Sequence, residues 1–227
     1  MREKLLAVFS HRTLAVLRWD LRLFGARVRG LVRGQAKLLR RRAEIAPRPL
    51  YLNLGAGPRG LASPHYINVD AVEGPNVHGL LDLSRPLPFA DETFDGVFCE
   101  HVLEHFTFED AQAVVREVRR VLRPGAWFRI VVPDGEMVVR RYLEAPDELV
   151  RQRAAGDETP MSTVNGFFRQ RYEHQFMYDW PTAAQLLQRA GYSRVSRASY
   201  RQSAGPTALV IDDATYEWES LYVDAEK

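Results

Sequence analysis

The chain has 227 residues, 46% hydrophobic and 26% charged, a composition that supports one substantial core with appendages rather than two full domains. It contains no uncharged apolar run long enough to cross a bilayer and a single cysteine, Cys99, which excludes an internal disulfide and a zinc centre built on several cysteines. The net charge of +2 hides an asymmetry: residues 1–48 carry 13 Lys or Arg against 3 acids, and the remainder 18 against 26.

The opening residues, Met1-Arg2-Glu3-Lys4-Leu5-Leu6, make a poor secretory leader. His11 and Arg12 interrupt the apolar stretch and no small-residue cleavage site follows, so a reducing cytoplasm is the expected compartment. Residues 1–48 read as a basic helical arm. Leu14, Leu17, Leu21, Phe24, Val28 and Leu31 recur at three- and four-residue spacings with arginines between them, a stripe that Gly25, Gly30 and Gly34 weaken. Such a helix packs its stripe on the body or on a second copy in a homodimer, lies peripherally on the inner face of an anionic membrane, or binds nucleic acid. The acidic body argues against a continuous phosphate track, so nucleic acid is the poorest of the three. Pro47 and Pro49 stop the helix and lead into the body, residues 49–227.

In the body, strands are expected at 50–54, 66–69, 77–81, 96–99, 127–132, 194–200 and 221–225. Helices are expected at 108–122, at 137–153 with a break near Pro146, and at 182–190. This alternation predicts an α/β fold with a doubly wound, mainly parallel sheet covered on both faces, and a ligand beyond the carboxyl ends of its strands. The first strand runs into Gly55-Ala56-Gly57, where bare backbone lets a ligand's polar groups approach. The second ends in Asp70, an acid suited to two ribose hydroxyls, the third in Asp82-Leu83, and the fourth in Cys99-Glu100-His101. A single acid after a strand is more often a helix cap, but four such ends in order describe a grip on a nucleoside-containing cofactor.

From residue 50 to about 132, and more loosely to the C-terminus, the chain resembles class I S-adenosylmethionine-dependent methyltransferases of the compact type 11 kind. The resemblance rests on Asn53-Leu54-Gly55-Ala56-Gly57, Asp70, Asp82-Leu83-Ser84-Arg85-Pro86-Leu87-Pro88-Phe89, Phe94-Asp95-Gly96-Val97-Phe98-Cys99-Glu100-His101-Val102-Leu103-Glu104-His105 and Val121-Leu122-Arg123-Pro124-Gly125-Ala126. It implies a Rossmann-like sheet of seven strands with the last antiparallel, and S-adenosyl-L-methionine as cofactor. It also implies that Asn53, Gly55, Ala56 and Gly57 form the loop under the methionine part, Asp70 holds the ribose, Asp82 and Leu83 flank the adenine, and Cys99 and Glu100 stand beside the sulfonium. A carboxylate bound tightly to the sulfonium would stabilise the cation before transfer and oppose the reaction, so backbone carbonyls are the expected contact there. Two features depart from the family pattern. Pro58 and Arg59 stand where a third glycine is often found, and the segment between the glycines and Asp70 leaves room only for a very short helix or a loop. Compact methyltransferases resembling this chain, often of saccharide or cell-envelope synthesis, share that shortening.

The sulfonium is already a strong methyl donor, so the enzyme mainly aligns the acceptor, and a hydroxyl acceptor additionally needs a base. His174 is the preferred base, His101 the second and His105 the third; the resemblance places their segments at the rim of the site. If residues 100–106 open a helix, His101, Glu104 and His105 share one face, and His174 completes a ligand set for a divalent ion. The simpler reading has no metal, with Glu104 and His105 capping and packing. Residues 134–180 elaborate the acceptor pocket. Their aromatics, Phe167, Phe168, Tyr172, Phe176, Tyr178 and Trp180, suit a sugar ring or another flat acceptor, about half of them serving as core, and Arg169 and Arg171 suit a phosphate or a sugar carboxylate. The expected function is O-methylation of a small-molecule, saccharide or glycolipid hydroxyl in polysaccharide biosynthesis. The alternatives are methylation of RNA or a peptide, and a cofactor-binding subunit without catalysis.

Overall fold

The computed structural model describes residue 8, residues 10–153 and residues 159–227. Residues 1–7 and 9 of the arm, which carry the leader reading, and residues 154–158 of the acceptor elaboration lie outside the described residues.

Seven strands are found among the described residues: β1 (Tyr51–Leu54), β2 (Tyr66–Asp70), β3 (Gly79–Leu80), β4 (Phe94–Glu100), β5 (Leu122–Pro133), β6 (Arg194–Ala198) and β7 (Ser220–Glu226). They form one sheet in the order β3-β2-β1-β4-β5-β7-β6. The pairs from β3 to β5 are parallel, and β7 runs antiparallel to both β5 and β6. Every expected strand is present. The expected reversal is there too, because β7 follows β6 by a return across the sheet rather than a helical crossover.

One face carries the main core. Leu52, Leu54, Val97, Cys99, Phe128 and Ile130 meet Val114, Val115 and Val118 of α3 (Phe108–Val121) and Leu186 and Leu187 of α7 (Trp180–Arg189). Thr107 caps α3 by accepting from the Asp110 N–H, and Asp179 caps α7 by accepting from the Thr182 N–H. The opposite face, Tyr51, Tyr66, Phe98, Val131 and Tyr222, is covered by Leu209 and Ile211. These lie on the connection from β6 to β7, which is built of short 3-10 turns at Thr207–Leu209 and Ala214–Glu219. The stretch between the glycines and β2 forms only a 3-10 turn, Gly57–Arg59, as its length requires.

The segment expected at 137–153 is two helices, α4 (Gly135–Glu144) and α5 (Pro146–Gln152), divided at Ala145 because Pro146 supplies no N–H to continue the first. A further helix, α6 (Pro160–Arg169), opens with a capping box between Thr159 and Ser162. The arm is two helices, α1 (His11–Val32) and α2 (Gln35–Ile45), joined at Gly34 in the left-handed region (φ 59°). They lie along the β3 edge. Gly30 passes over the Leu80 carbonyl, Gln35 Oε1 accepts from the Leu80 N–H at 2.7 Å, and Leu39 packs on Gly79.

The face of α1 that packs differs from the expected stripe. Ala26 is buried and Trp19 and Gly30 are half-buried, whereas Leu21 is 59%, Phe24 61% and Leu31 82% exposed. Small residues let the helix approach the body closely, which turns the leucine and phenylalanine stripe outward.

Candidate active site

The carboxyl ends of β1, β2, β3 and β4 bring the expected donor residues together. Gly55 and Gly57 adopt φ of +68° and +51°, and the Gly55 and Ala56 N–H groups both donate to the Val69 carbonyl. A Cβ on Gly55 would come 2.1 Å from Val102 Cγ2, so the strand end must be bare. Asp70 accepts from the Gly57 N–H through Oδ2 and from the Val72 N–H through Oδ1, both at 2.8 Å. Its half-exposed carboxylate has lone pairs left over, which fits a ribose diol. Asn53 is buried and donates to Asn68 Oδ1 at 3.1 Å; Asn68 in turn donates to the carbonyls of Leu61 and Asn76 and braces the loops.

Asp82 and Leu83 stand beyond β3, both buried. Burial pushes the Asp82 carboxyl up, but hydrogen bonds from Ser84 and from Arg27 bring it below its ordinary value. Arg27 belongs to α1, so the arm pairs with the acid that would face the adenine. The Cys99 side chain is in the main core, where burial raises its thiol pKa, and only its backbone is on offer to a ligand. Glu100 points the other way. Its Oε1 accepts from the Asp213 N–H at 3.0 Å and its Oε2 lies 3.3 Å from Arg59 Nη1.

Arg59, read as a departure from the glycine pattern, joins these strand ends to the return across the sheet. Its guanidinium pairs with Glu100 and with Asp213 and lies 5.0 Å from the centre of the Tyr216 ring. Hydrogen bonding from the Thr215 N–H and pairing with Arg59 hold the Asp213 carboxyl at about 2. The cavity left between Asn53, Gly55, Ala56, Arg59, Phe98 and Glu100 is about 40 Å³, room for a water rather than a nucleoside. The residues therefore fit the cofactor in kind, with Arg59 among those that line the cavity. Arg27, Asp213 and Tyr216 were not signalled by the sequence, because they reach the site from the arm and from an irregular return across the sheet.

The histidines gather next to it. Residues 100–106 do not form an α-helix; Leu103–His105 is a 3-10 turn, and His101 takes a left-handed φ of 52°. His101 stacks on Tyr216 at 4.1 Å, places Nε2 2.9 Å from Ser220 Oγ, and directs Nδ1 at Glu104 Oε1 from 3.3 Å, at ion-pair range but misaligned for a hydrogen bond. Glu104 is fully buried. Burial works against its charge, but His101, His105 and His174 outweigh this and lower its carboxyl pKa. His174 is 8% exposed, its Nδ1 bonded to the Phe167 carbonyl at 2.8 Å, and burial lowers it to about 4. Residues 170–172, three in a row with positive φ, lead into it. Beside Tyr178, a cavity of about 550 Å³ is lined by Val139, Leu143, Phe168 and Met177 together with Glu136 and Arg140. Phe167 and Tyr178 are core, Phe176 and Trp180 half-buried, and Phe168 and Tyr172 exposed.

The family model described as "methyltransferase domain" matches residues 65–130, from the start of β2 through most of β5. No curated protein matches the chain. Among solved structures, phosphoethanolamine N-methyltransferase 2 of Haemonchus contortus is similar at 13% identity and a TM-score of 0.50, over 86% of this chain and 52% of that one. A SAM-dependent methyltransferase from Archaeoglobus fulgidus matches at 14% identity and a TM-score of 0.47, over 88% and 94% of the two chains. One from Mesorhizobium loti does so at 17% and 0.47, over 82% and 95%. The chain spans about half the length of the Haemonchus enzyme, and at these identities the likeness is one of fold. The match to a methyltransferase domain runs from β2 to β5, under a third of the chain, and lies in a sheet whose last strand is reversed, as the resemblance implies.

Proposed function

We propose that the enzyme methylates a hydroxyl of a saccharide carried on a lipid, working peripherally at the cytoplasmic face of an anionic membrane. The observation that carries this is the open stripe of α1. Leu17, Leu21, Phe24, Val28 and Leu31 are exposed side by side, with Arg18, Arg22 and Arg29 next to them, while Arg27 on the same helix reaches Asp82 in the donor site. A basic helix with an exposed apolar stripe is built to lie in a lipid interface, and here it would bring the donor site to the surface where a lipid-borne acceptor resides. No helix among the described residues is long and apolar enough to cross a membrane. The cavity beside Tyr178, with an apolar lining and Glu136, Arg140, Glu144 and Asp179 at its wall, suits an amphiphilic acceptor.

The cofactor supplies the methyl group and leaves as its demethylated product. Asp70 holds the ribose, and the glycine loop lets the methionine part lie against backbone. Arg59 keeps Glu100 paired, so that the carboxylate does not pin the sulfonium. His101 is the base we favour over His174: it directly follows Glu100, and its Nε2 faces a hydroxyl already, that of Ser220. His174 stays neutral and enclosed.

Sedimentation with phosphatidylglycerol vesicles tests the membrane half of this reading. The wild type should partition into the pellet and Leu21→Glu/Phe24→Glu should lose about tenfold or more of that affinity, since each side chain withdraws roughly 1.5–3 kcal/mol of apolar burial. Equal partitioning of the two would overturn it, and a dimer in solution that the double variant dissociates would assign the stripe to a second copy. For the acceptor half, labelled methyl groups from the cofactor should appear in alkali-stable ethers of an extracted glycolipid fraction.

A further inference from the structure

We propose that Glu104, His105 and His174 bind a divalent transition-metal ion of the zinc class. One ligand atom from each residue lies within 4.8 Å of the other two. The donor set is the combination of two imidazoles and a carboxylate that leaves an ion of this class an open position.

The hydrogen bonding around these residues already has the polarity that a metal requires. His174 gives its Nδ1–H to the Phe167 carbonyl at 2.8 Å, and His105 gives its own to the Glu173 carbonyl at 3.1 Å. Both rings are thereby fixed in the tautomer whose Nε2 carries a lone pair, the outer-shell arrangement that orients metal-binding histidines. His174 Nε2 is buried with no partner, and both oxygens of the fully buried Glu104 lack a hydrogen bond. The imidazoles around it favour its charge, but no donor meets either oxygen. A divalent cation would supply the missing partner of Glu104 and of His174 Nε2 and take His105 with them.

The backbone holds the pieces at this separation. The Gln175 and Phe176 N–H groups both donate to the Glu104 carbonyl, which locks the turn bearing Glu104 and His105 to the segment bearing His174. The left-handed run at residues 170–172 delivers that segment, and strain of this kind persists where the surroundings enforce it. Tetrahedral bonds of about 2.1 Å set ligand atoms roughly 3.4 Å apart, so the side chains draw in by an ångström or so on binding. Trp19 of the arm stacks on His105 at 5.8 Å and roofs the site. His101 stays outside the set, narrowing the four residues considered from sequence to three, and its Nδ1 supports Glu104 from the far side. The open position takes water or a hydroxyl oxygen. Its use for the acceptor rests on the O-methylation reading; binding of the ion does not.

The test is made on chelator-treated full-length protein titrated with Co²⁺ and then Zn²⁺, read by the visible spectrum of cobalt and by calorimetry. One ion per chain is expected, with zinc displacing cobalt. Affinity should fall at least about tenfold in Glu104→Gln, His105→Ala and His174→Ala, as loss of a ligand implies, and stay unchanged in His65→Ala, whose ring bonds the Pro49 carbonyl elsewhere. Saturating zinc should raise the Tm of the wild type and leave that of folded Glu104→Gln where it was, which separates a lost site from a lost fold. No cobalt spectrum, or binding indifferent to all three substitutions, would overturn the proposal. Neither readout involves methyl transfer, so failure of the acceptor reading leaves this result standing.

Discussion

At Gly55 a single methyl group decides whether the donor loop keeps its path: φ is +68° and an added Cβ would enter the Val102 side chain at 2.1 Å. Gly55→Ala is expected to lower affinity for S-adenosylmethionine by at least about tenfold while the protein stays folded, because strain and clash together cost on the order of 1–3 kcal/mol at one turn. Calorimetry with the cofactor or its demethylated product reads it, and wild-type affinity would remove this loop from the cofactor's path. Arg129 is a different kind of residue, one whose role is stability. It is fully buried on β5, donating to Asp212 at 2.7 and 2.6 Å, to Asp224 at 2.9 Å and to the carbonyls of Ser199 and Gln202. Removing it leaves two buried carboxylates uncompensated, so Arg129→Met should cost about 3–5 kcal/mol in a denaturant melt. A loss under about 1 kcal/mol would show that water reaches the acids instead. The sequence did not announce this triad. Its partners are far along the chain, and an arginine in an otherwise apolar strand carries no local signal of the acids that will meet it.

Among the elements, those with a period to read were legible and those held by distant contacts were not. All seven strands and α3 and α7 follow from alternation, apolar runs and caps, and the short Gly57–Arg59 turn follows from the length available before β2. The face presented by α1 did not follow. Apolar content points a helix stripe inward, but Gly30 and Ala26 permit a closer approach to β3 than leucines would, and the close approach won. The cofactor residues we propose could be named from the sequence because they sit at strand ends in order. The Arg59 clasp could not, since Asp213 and Tyr216 come from a return of irregular backbone with no period. Gln35 joins arm to sheet as one element to another. Its side chain satisfies the Leu80 N–H on the edge strand β3, in place of a neighbouring strand. Gln35→Leu would leave that buried donor unpaired at a cost of about 1–3 kcal/mol. Faster amide exchange across α2 and β3, with the rest of the sheet protected as before, is the expected result, and unchanged exchange would mean that the arm docks by its apolar contacts alone.

Across the whole molecule, the arm spans from the histidine cluster to the carboxyl end of β3: Trp19 lies on His105 and, two turns on, Arg27 pairs with Asp82. If Asp82 faces the adenine, as we propose, Arg27 and the adenine amino group would draw on the same carboxylate, and docking of the arm would compete with binding of the cofactor. Arg27 is 41% exposed at its side chain, which limits what the pair contributes. Arg27→Ala should therefore tighten cofactor binding by no more than about fivefold while loosening α1, seen as faster proteolysis within it. In the wild type, cofactor should by itself speed cleavage of α1. The pH dependence has a definite sign. Burial opposes the charged form of Asp82, but Ser84 and Arg27 hold its folded pKa below the unfolded value, so the latch contributes fully above about pH 4 and is lost as pH falls through the folded value. Affinity unchanged or weakened in Arg27→Ala would mean that the arginine assists the cofactor rather than displacing it, and the arm would then be a fixed wall of the donor site instead of a cover that must yield.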